Sequence, residues 1–255
     1  MAKIVVFDSG FGSLSIIKAI QKKTKNDIIY FADQKNFPYG KKSKSHLKKL
    51  ITKTINLLKK QFNPDLIVVA SNTPSLLLDN VNKSSILKVL PPIKQATKIS
   101  KTSSIAILAT QSVVKSDNLS NYIKKNLKTK RIKVSKIDAS ALVDLVESGK
   151  FIDNPNFCKT KIKQLLKNTF MKNNIDVATL SSTHLPFLLS FLKKEFPEVA
   201  FLDPANEIAL KISKMNLKKS SQNSMKIFTS STPKLFQKHL KKIGIKNKVS
   251  FLVLA

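Results

Sequence analysis

Three times in this chain an apolar run of strand length stops abruptly at small polar residues. Ile4-Val5-Val6-Phe7 meets Asp8-Ser9, Leu66–Ala70 meets Ser71-Asn72-Thr73, and Asp176–Leu180 meets Ser181-Ser182-Thr183-His184. Short continuous apolar runs are what parallel strands need when helices cover both faces of their sheet. Each run here is followed by a helical pattern, so the chain reads as repeated strand-turn-helix units and its fold class as α/β with mainly parallel sheets. In such sheets ligands bind beyond the carboxyl ends of the strands. The polar tips are therefore the candidate site.

After Asp8 the stretch Ser9-Gly10-Phe11-Gly12-Ser13 makes a tight turn into a helix whose buried stripe is Leu14, Ile16, Ile17 and Ile20. Two of the chain's 5 glycines fall in this turn, where bare backbone amides at a helix start can receive an anion. Ser15 occupies the place of the third glycine of a dinucleotide fingerprint, so a nicotinamide or flavin is not indicated. Asp27–Asp33 predicts the second strand, and Phe37-Pro38-Tyr39-Gly40 a turn in which proline fixes one dihedral and glycine frees another. A basic helix with Leu47, Leu50, Ile51, Ile55, Leu57 and Leu58 leads to the strand Leu66–Ala70. Pro74 is placed to open the next helix, and Leu76, Leu77 and Leu78 to pack it.

Val89-Leu90-Pro91-Pro92 interrupts the pattern, and the Lys- and Ser-rich joint Ser100–Ser104 marks a domain boundary nearby. Beyond it, Ile105–Ala109 reads as a strand ending at Thr110, and Val134–Ala139 as another. A short helix, Leu142–Glu147, is closed by Gly149. A longer helix, Pro155–Asn173, holds Cys158, whose thiol has no visible activator and reads as structural. Leu185, Phe187, Leu188, Phe191 and Leu192 belong to the helix behind His184. A lone histidine is more often structural, but one at a strand's carboxyl end beside two hydroxyls reads as functional. The tail repeats the pattern with Lys226–Ser230, a helix Pro233–Ile243 and a strand Val249–Leu254.

The formal charge of +31 over 255 residues raises the question of a polyanionic partner. Of 46 basic residues only Arg131 is an arginine, and tryptophan is absent, whereas phosphate and base recognition draws on arginine's bidentate fork. The lysines come in pairs along polar helix faces (Lys48-Lys49, Lys59-Lys60, Lys193-Lys194), as a solvated surface requires, so a nucleic-acid partner is not expected. No window reaches the apolar length of a membrane span. The N-terminus meets Asp8 too early for a signal peptide, so a cytoplasmic location is expected. One cysteine and the scattered His46, His184 and His239 predict neither an internal disulfide nor a metal site.

Taken together, Val6-Phe7-Asp8-Ser9-Gly10, Tyr30-Phe31-Ala32-Asp33, Pro38-Tyr39-Gly40, Ala70-Ser71-Asn72-Thr73, Ala109-Thr110 and Ser182-Thr183-His184-Leu185-Pro186 resemble the glutamate racemases of the aspartate/glutamate racemase superfamily. Leu202-Asp203-Pro204-Ala205 and Phe228–Pro233 extend the likeness over nearly the whole chain. The resemblance implies two similar α/β domains, 1–97 plus 206–255 and 98–205, with an active-site cleft between them and a dimeric assembly. It implies isomerase chemistry without a cofactor. In the family two cysteines flank the α-carbon of the amino acid, one removing its proton and the other returning a proton to the opposite face.

Ser71 and Ser182 stand at the two cysteine positions, with Asp8 and His184 matching their partners. A thiol with pKa about 8.5 can be tuned to ionise near neutrality, whereas a serine hydroxyl is a far weaker acid that needs a dedicated partner. Ser9, Pro38, Tyr39, Gly40, Asn72, Thr73, Thr110 and Thr183 match positions that hold the substrate, which makes a small acidic amino acid the expected ligand. Three readings follow, a racemase-type enzyme with Ser71–Asp8 and Ser182–His184 dyads, a non-catalytic amino-acid-binding or regulatory protein, and a lysine-borne nucleic-acid role; the last is set aside above and the first two stay open.

Overall fold

In the computed structural model, residues 2–78, 84–127, 131–218 and 220–253 are described. The chain divides into unit 1, Met1–Val89 with Ala205–Ala255, and unit 2, Leu90–Pro204. The α/β class read from the sequence is the class observed.

In unit 1 the chain runs through β1 (Lys3–Asp8), α1 (Ser13–Lys23), β2 (Asp27–Ala32), α2 (Lys44–Phe62), β3 (Leu66–Val69), α3 (Asn72–Leu77) and β4 (Ile86–Lys88). In unit 2 it continues through α4 (Ile93–Ile99), β5 (Ser104–Ala109), α5 (Gln111–Val114), α6 (Asp117–Asn126), β6 (Lys133–Asp138), α7 (Ser140–Glu147), α8 (Lys150–Asp153), α9 (Pro155–Lys172), β7 (Val177–Leu180), α10 (Leu189–Glu195) and β8 (Ala200–Leu202). It returns to unit 1 with α11 (Ala205–Ser213), β9 (Ser224–Thr229), α12 (Pro233–Lys242) and β10 (Val249–Phe251).

The sheet of unit 1 has the order β10-β9-β2-β1-β3-β4, and that of unit 2 the order β6-β5-β7-β8. Every pairing in both is parallel. The central strands are apolar on both faces because helices cover both: Ile4, Val5, Val6 and Phe7 of β1 are all fully buried, as are Val68 and Val69 of β3. Full burial of each such side chain is worth roughly 1.5–3 kcal/mol. The edge strand β6, by contrast, keeps Lys133 and Lys136 exposed.

Helix α2 shows how local sequence sets an element. Ser43 caps it by accepting from the His46 amide at 3.3 Å, and Asn63 ends it in a left-handed conformation with φ 43°. Leu47, Ile51, Thr54, Ile55 and Leu58 form its buried stripe, while Lys48, Lys49 and Lys53 face solvent. Helix α11 brings the chain back to unit 1 by packing Ala205, Ile208, Ala209 and Ile212 along α1.

Several expectations change in detail. The sequence sets the first crossing between domains at residue 97/98, whereas α4 lies wholly in unit 2, where it packs on β7 and α6. Strand β4 was not anticipated, because its apolar content is a single short run, Ile86-Leu87, beside a lysine. Helix α3 begins at Asn72, two residues before Pro74; proline is tolerated there because the first-turn amides have no intrahelical partner. Gly40 takes no left-handed conformation and sits in a short 3-10 turn, Tyr39–Lys41, after a cis Phe37–Pro38 bond. Strand β10 ends at Phe251, and Leu254 of the expected strand lies outside the described residues.

No helix among the described residues is long and apolar enough to cross a membrane.

Candidate active site

The register of unit 1 sets its polar tips level. Asp8 at the end of β1 pairs with Ala32 at the end of β2, Ala32 pairs with Thr229 of β9, and Phe7 pairs with Val69 of β3. Asp8, Asp33, Ser230 and Ser71 therefore emerge at one carboxyl edge. Asp8 is 2% exposed and accepts from the Ser9 amide at 2.6 Å, a charge-assisted bond that fixes the carboxylate against its own turn. The Tyr30 hydroxyl donates to the Gly10 carbonyl at 2.7 Å and ties that turn to β2.

Behind this edge lies a buried hub. The Asp33 carboxylate accepts from the Tyr39 hydroxyl at 3.0 Å, the Ser230 hydroxyl at 2.8 Å and the Asn36 amide at 3.0 Å. Its backbone N–H donates to the Asp8 carbonyl at 2.8 Å. Burial raises the Asp33 carboxyl above its ordinary range, opposed by the bonds from Asn36, Ser230 and Tyr39 and by the charge of Lys42. Burial likewise holds the Tyr39 hydroxyl well above its ordinary range, reinforced by the negative charges of Asp33 and Asp8. Tyr39 is thus a permanent donor, and its bond to Asp33 anchors the Pro38-Tyr39-Gly40 stretch.

Ser71 occupies the N-cap position of α3 with extended backbone, φ −148°. Ser75 holds that helix to the sheet, its hydroxyl donating to Val69 at 2.9 Å and accepting from the Val89 amide at 3.1 Å. Thr73 is half-buried, and Asn72 is 3% exposed. Neither polar atom of the Asn72 amide meets a hydrogen-bond partner among the described residues.

In unit 2 the site gathers at the ends of β5 and β7, which pair through Leu108 and Leu180. Ser182, Thr183 and His184 are all buried there. The Ser182 hydroxyl lies 3.5 Å from His184 Nδ1, and the opposite ring nitrogen, Nε2, makes a short contact with Glu147 Oε1. The three side chains form a continuous relay. Thr110, half-buried at the N-cap of α5, lies 3.2 Å through its Oγ1 from the Ser112 hydroxyl. The Ser181 amide donates to Leu108 at 2.8 Å and keeps the tip in register.

The structure thus brings Ser182 and His184 into direct contact and places Asp8, Ser9, Tyr39, Ser71 and Asn72 along one sheet edge. Sequence reasoning named all of these but passed over Glu147, Asp33 and Ser230 as site residues. Glu147 did leave a signal. It is the last residue of an otherwise largely apolar helix, where a negative charge opposes the helix dipole by about 0.3–1 kcal/mol and so calls for another partner. Cys158 is fully buried on α9 and burial pushes its thiol up, as an unreactive cysteine requires.

These two edges define a parallel α/β protein with acid–base residues at its strand ends. No family model matches the chain. The glutamate racemase of Actinobacillus pleuropneumoniae serotype 7 (strain AP76) is 30% identical over 234 residues, spanning 88% of this chain and 86% of the relative. Among solved structures, glutamate racemase isoform RacE1 from Bacillus anthracis superposes with a TM-score of 0.85 at 26% identity, covering 98% of this chain and 97% of that one. The Escherichia coli glutamate racemase, at 23% identity, shares the fold with a TM-score of 0.83 over 99% of this chain and 98% of its own. The chain belongs to the glutamate racemase family.

Proposed function

We propose that this protein binds an acidic amino acid and exchanges its α-proton slowly, with Ser71 and Ser182 at the two base positions and Asp8 and His184 as their partners. The carrying observation is the buried His184, held between Ser182 and Glu147 at the end of β7 in a member of this family. An imidazole whose far nitrogen is fixed by a carboxylate is an oriented general base. The Escherichia coli relative was solved with L-glutamate, which supports glutamate or aspartate as the ligand class here. The sequence resemblance supports a cytoplasmic, cofactor-independent homodimer and supports reading Ser71 and Ser182 as standing in for two cysteines. A hydroxyl is a far weaker acid than a thiol and supplies far less of the anionic base near neutrality, so exchange is expected well below that of a thiol pair. The test is incubation in deuterated buffer with each enantiomer of glutamate and aspartate, following the α-proton by NMR. Exchange above buffer with any of them supports the reading, and no exchange with all four removes its catalytic part.

A second reading, ligand binding without turnover, is favoured by Asn72. A buried amide left unpaired costs about 1–3 kcal/mol, and a ligand carboxylate or ammonium that pairs with it recovers part of that. Glutamate at a hundredfold excess over its Kd is then expected to add about 2.7 kcal/mol of stability. The Asn72→Leu variant should lose most of this gain. A melting temperature unmoved by a panel of amino and dicarboxylic acids would end this reading.

A further inference from the structure

The relay in unit 2 has a chemistry of its own that does not depend on the amino-acid reading. Glu147 Oε1 accepts from the Nε2–H of His184, which fixes the imidazole as the tautomer with a lone pair on Nδ1. That lone pair faces the Ser182 hydroxyl at 3.5 Å, the long limit of a hydrogen bond. Carboxylate, imidazole and hydroxyl in this order are the parts of an activated serine, recognised by geometry and role whichever fold carries them. The two ring nitrogens exchange places relative to serine proteases, with Nδ1 serving the hydroxyl and Nε2 the carboxylate. His184 is 6% exposed and so is held away from solvent, while Ser182 at 8% keeps a small open surface.

We infer that Ser182 is a nucleophile for acyl transfer, with His184 as its general base, Glu147 as the positioning residue, and a small acyl ester or thioester as the substrate class. In the first step the Ser182 Oγ forms a bond to the acyl carbon while its proton passes to His184 Nδ1. The bond from the acyl carbon to the leaving oxygen or sulfur then breaks, and the leaving group takes the proton from Nδ1. Water repeats the sequence on the acyl-serine: it gives a proton to Nδ1, its oxygen bonds to the acyl carbon, and Ser182 leaves with that proton, releasing the carboxylic acid. No electron acceptor or other co-reactant is needed.

The test uses the full chain and a fluorophosphonate, which modifies activated serines with loss of fluoride and does not acylate the abundant lysines. Intact mass and peptide mapping are expected to find one label per chain, on Ser182. Ser182→Ala should remove it, and His184→Gln should slow labelling by on the order of 10²-fold or more. In Glu147→Gln the plateau rate should fall and the pH midpoint of labelling should move down, because the carboxylate that favours the imidazolium is gone. A merely structural Glu147 would leave that midpoint in place. Thermal melts check that each variant is folded. An unlabelled Ser182 in the parent chain, or equal labelling of Ser182→Ala, overturns the inference. Labelling is read without any amino acid present, so failure of α-proton exchange leaves this result untouched and the converse holds as well.

Discussion

At the edge of the six-stranded sheet a buried acid, Asp33, gathers three donors from two stretches of chain, while at the edge of the four-stranded sheet a buried imidazole, His184, is strung between one hydroxyl and one carboxylate. The first arrangement spends its hydrogen bonds on geometry. Asp33 clamps the Tyr39 stretch to Ser230 of the returning C-terminal segment, beside the buried Asp8. The second arrangement is a line along which a proton can move. Similar strand-end grammar thus carries two different hydrogen-bond patterns, a hub of donors around a carboxylate in unit 1 and a line of side chains through an imidazole in unit 2.

The largest expected effect falls on the relay. His184→Gln should lower any α-proton exchange by about 10²–10⁴-fold, measured by NMR, with little change in melting temperature. If instead the hub of unit 1 were the chemical group, Asp33→Asn would cause the greater loss of exchange.

Next comes the hub itself. Asp33→Asn places an amide donor among the donors of Tyr39, Ser230 and Asn36, and should cost about 1–3 kcal/mol in urea unfolding at pH 7. A pH series sharpens the contrast between the units. Because the folded-state Asp33 carboxyl is raised above its ordinary 3.8, the folded state holds that proton longer, and its contribution to stability is lost as pH rises from 3.8 through the raised value. Asp176 in unit 2 has the opposite sign. Burial pushes it up, but bonds from the Ser100 hydroxyl at 2.6 Å and from the Lys101 and Thr102 amides outweigh that and hold it below 3.8. Its stabilisation is full above 3.8 and is lost as pH falls through the lowered value. Asp176→Asn should therefore flatten the acid limb of the stability curve, and Asp33→Asn the rise in stability toward acid between the raised value and 3.8.

The smallest effect belongs to the lysines. Lys48, Lys49, Lys53 and Lys60 line a shallow hollow of about 690 Å³ along the outer face of α2, away from the strand ends. Lys53→Gln should change stability by less than about 0.5 kcal/mol. It should also leave α-proton exchange unchanged.

The strand ends were legible in the sequence because burial on both faces forces uninterrupted apolar runs, and the first polar residue after each run marks the edge. Asp8 and Ser71 were found in this way, and Ser182 one residue beyond Ser181. Glu147 was not, although its place at the C-terminal end of α7, where its charge opposes the helix dipole, calls for a partner elsewhere. Its meeting with His184 spans 37 residues, a tertiary contact that no local pattern encodes. Asp33 stood in the sequence beside a recognised strand, yet its three partners come from sequence separations of 3, 6 and 197. Strand β4 escaped for a different reason, being a 3-residue edge strand whose burial is partial.

The central claim is that the two serines stand at the base positions of an α-proton exchange site whose supporting residues are intact. Its most direct measurement compares α-proton exchange of D- and L-glutamate by the parent chain and by the Ser71→Cys, Ser182→Cys double variant. Thiols at these two positions should raise exchange of both enantiomers by on the order of 10²–10⁴-fold. A folded double variant that exchanges neither enantiomer faster than the parent would contradict the claim.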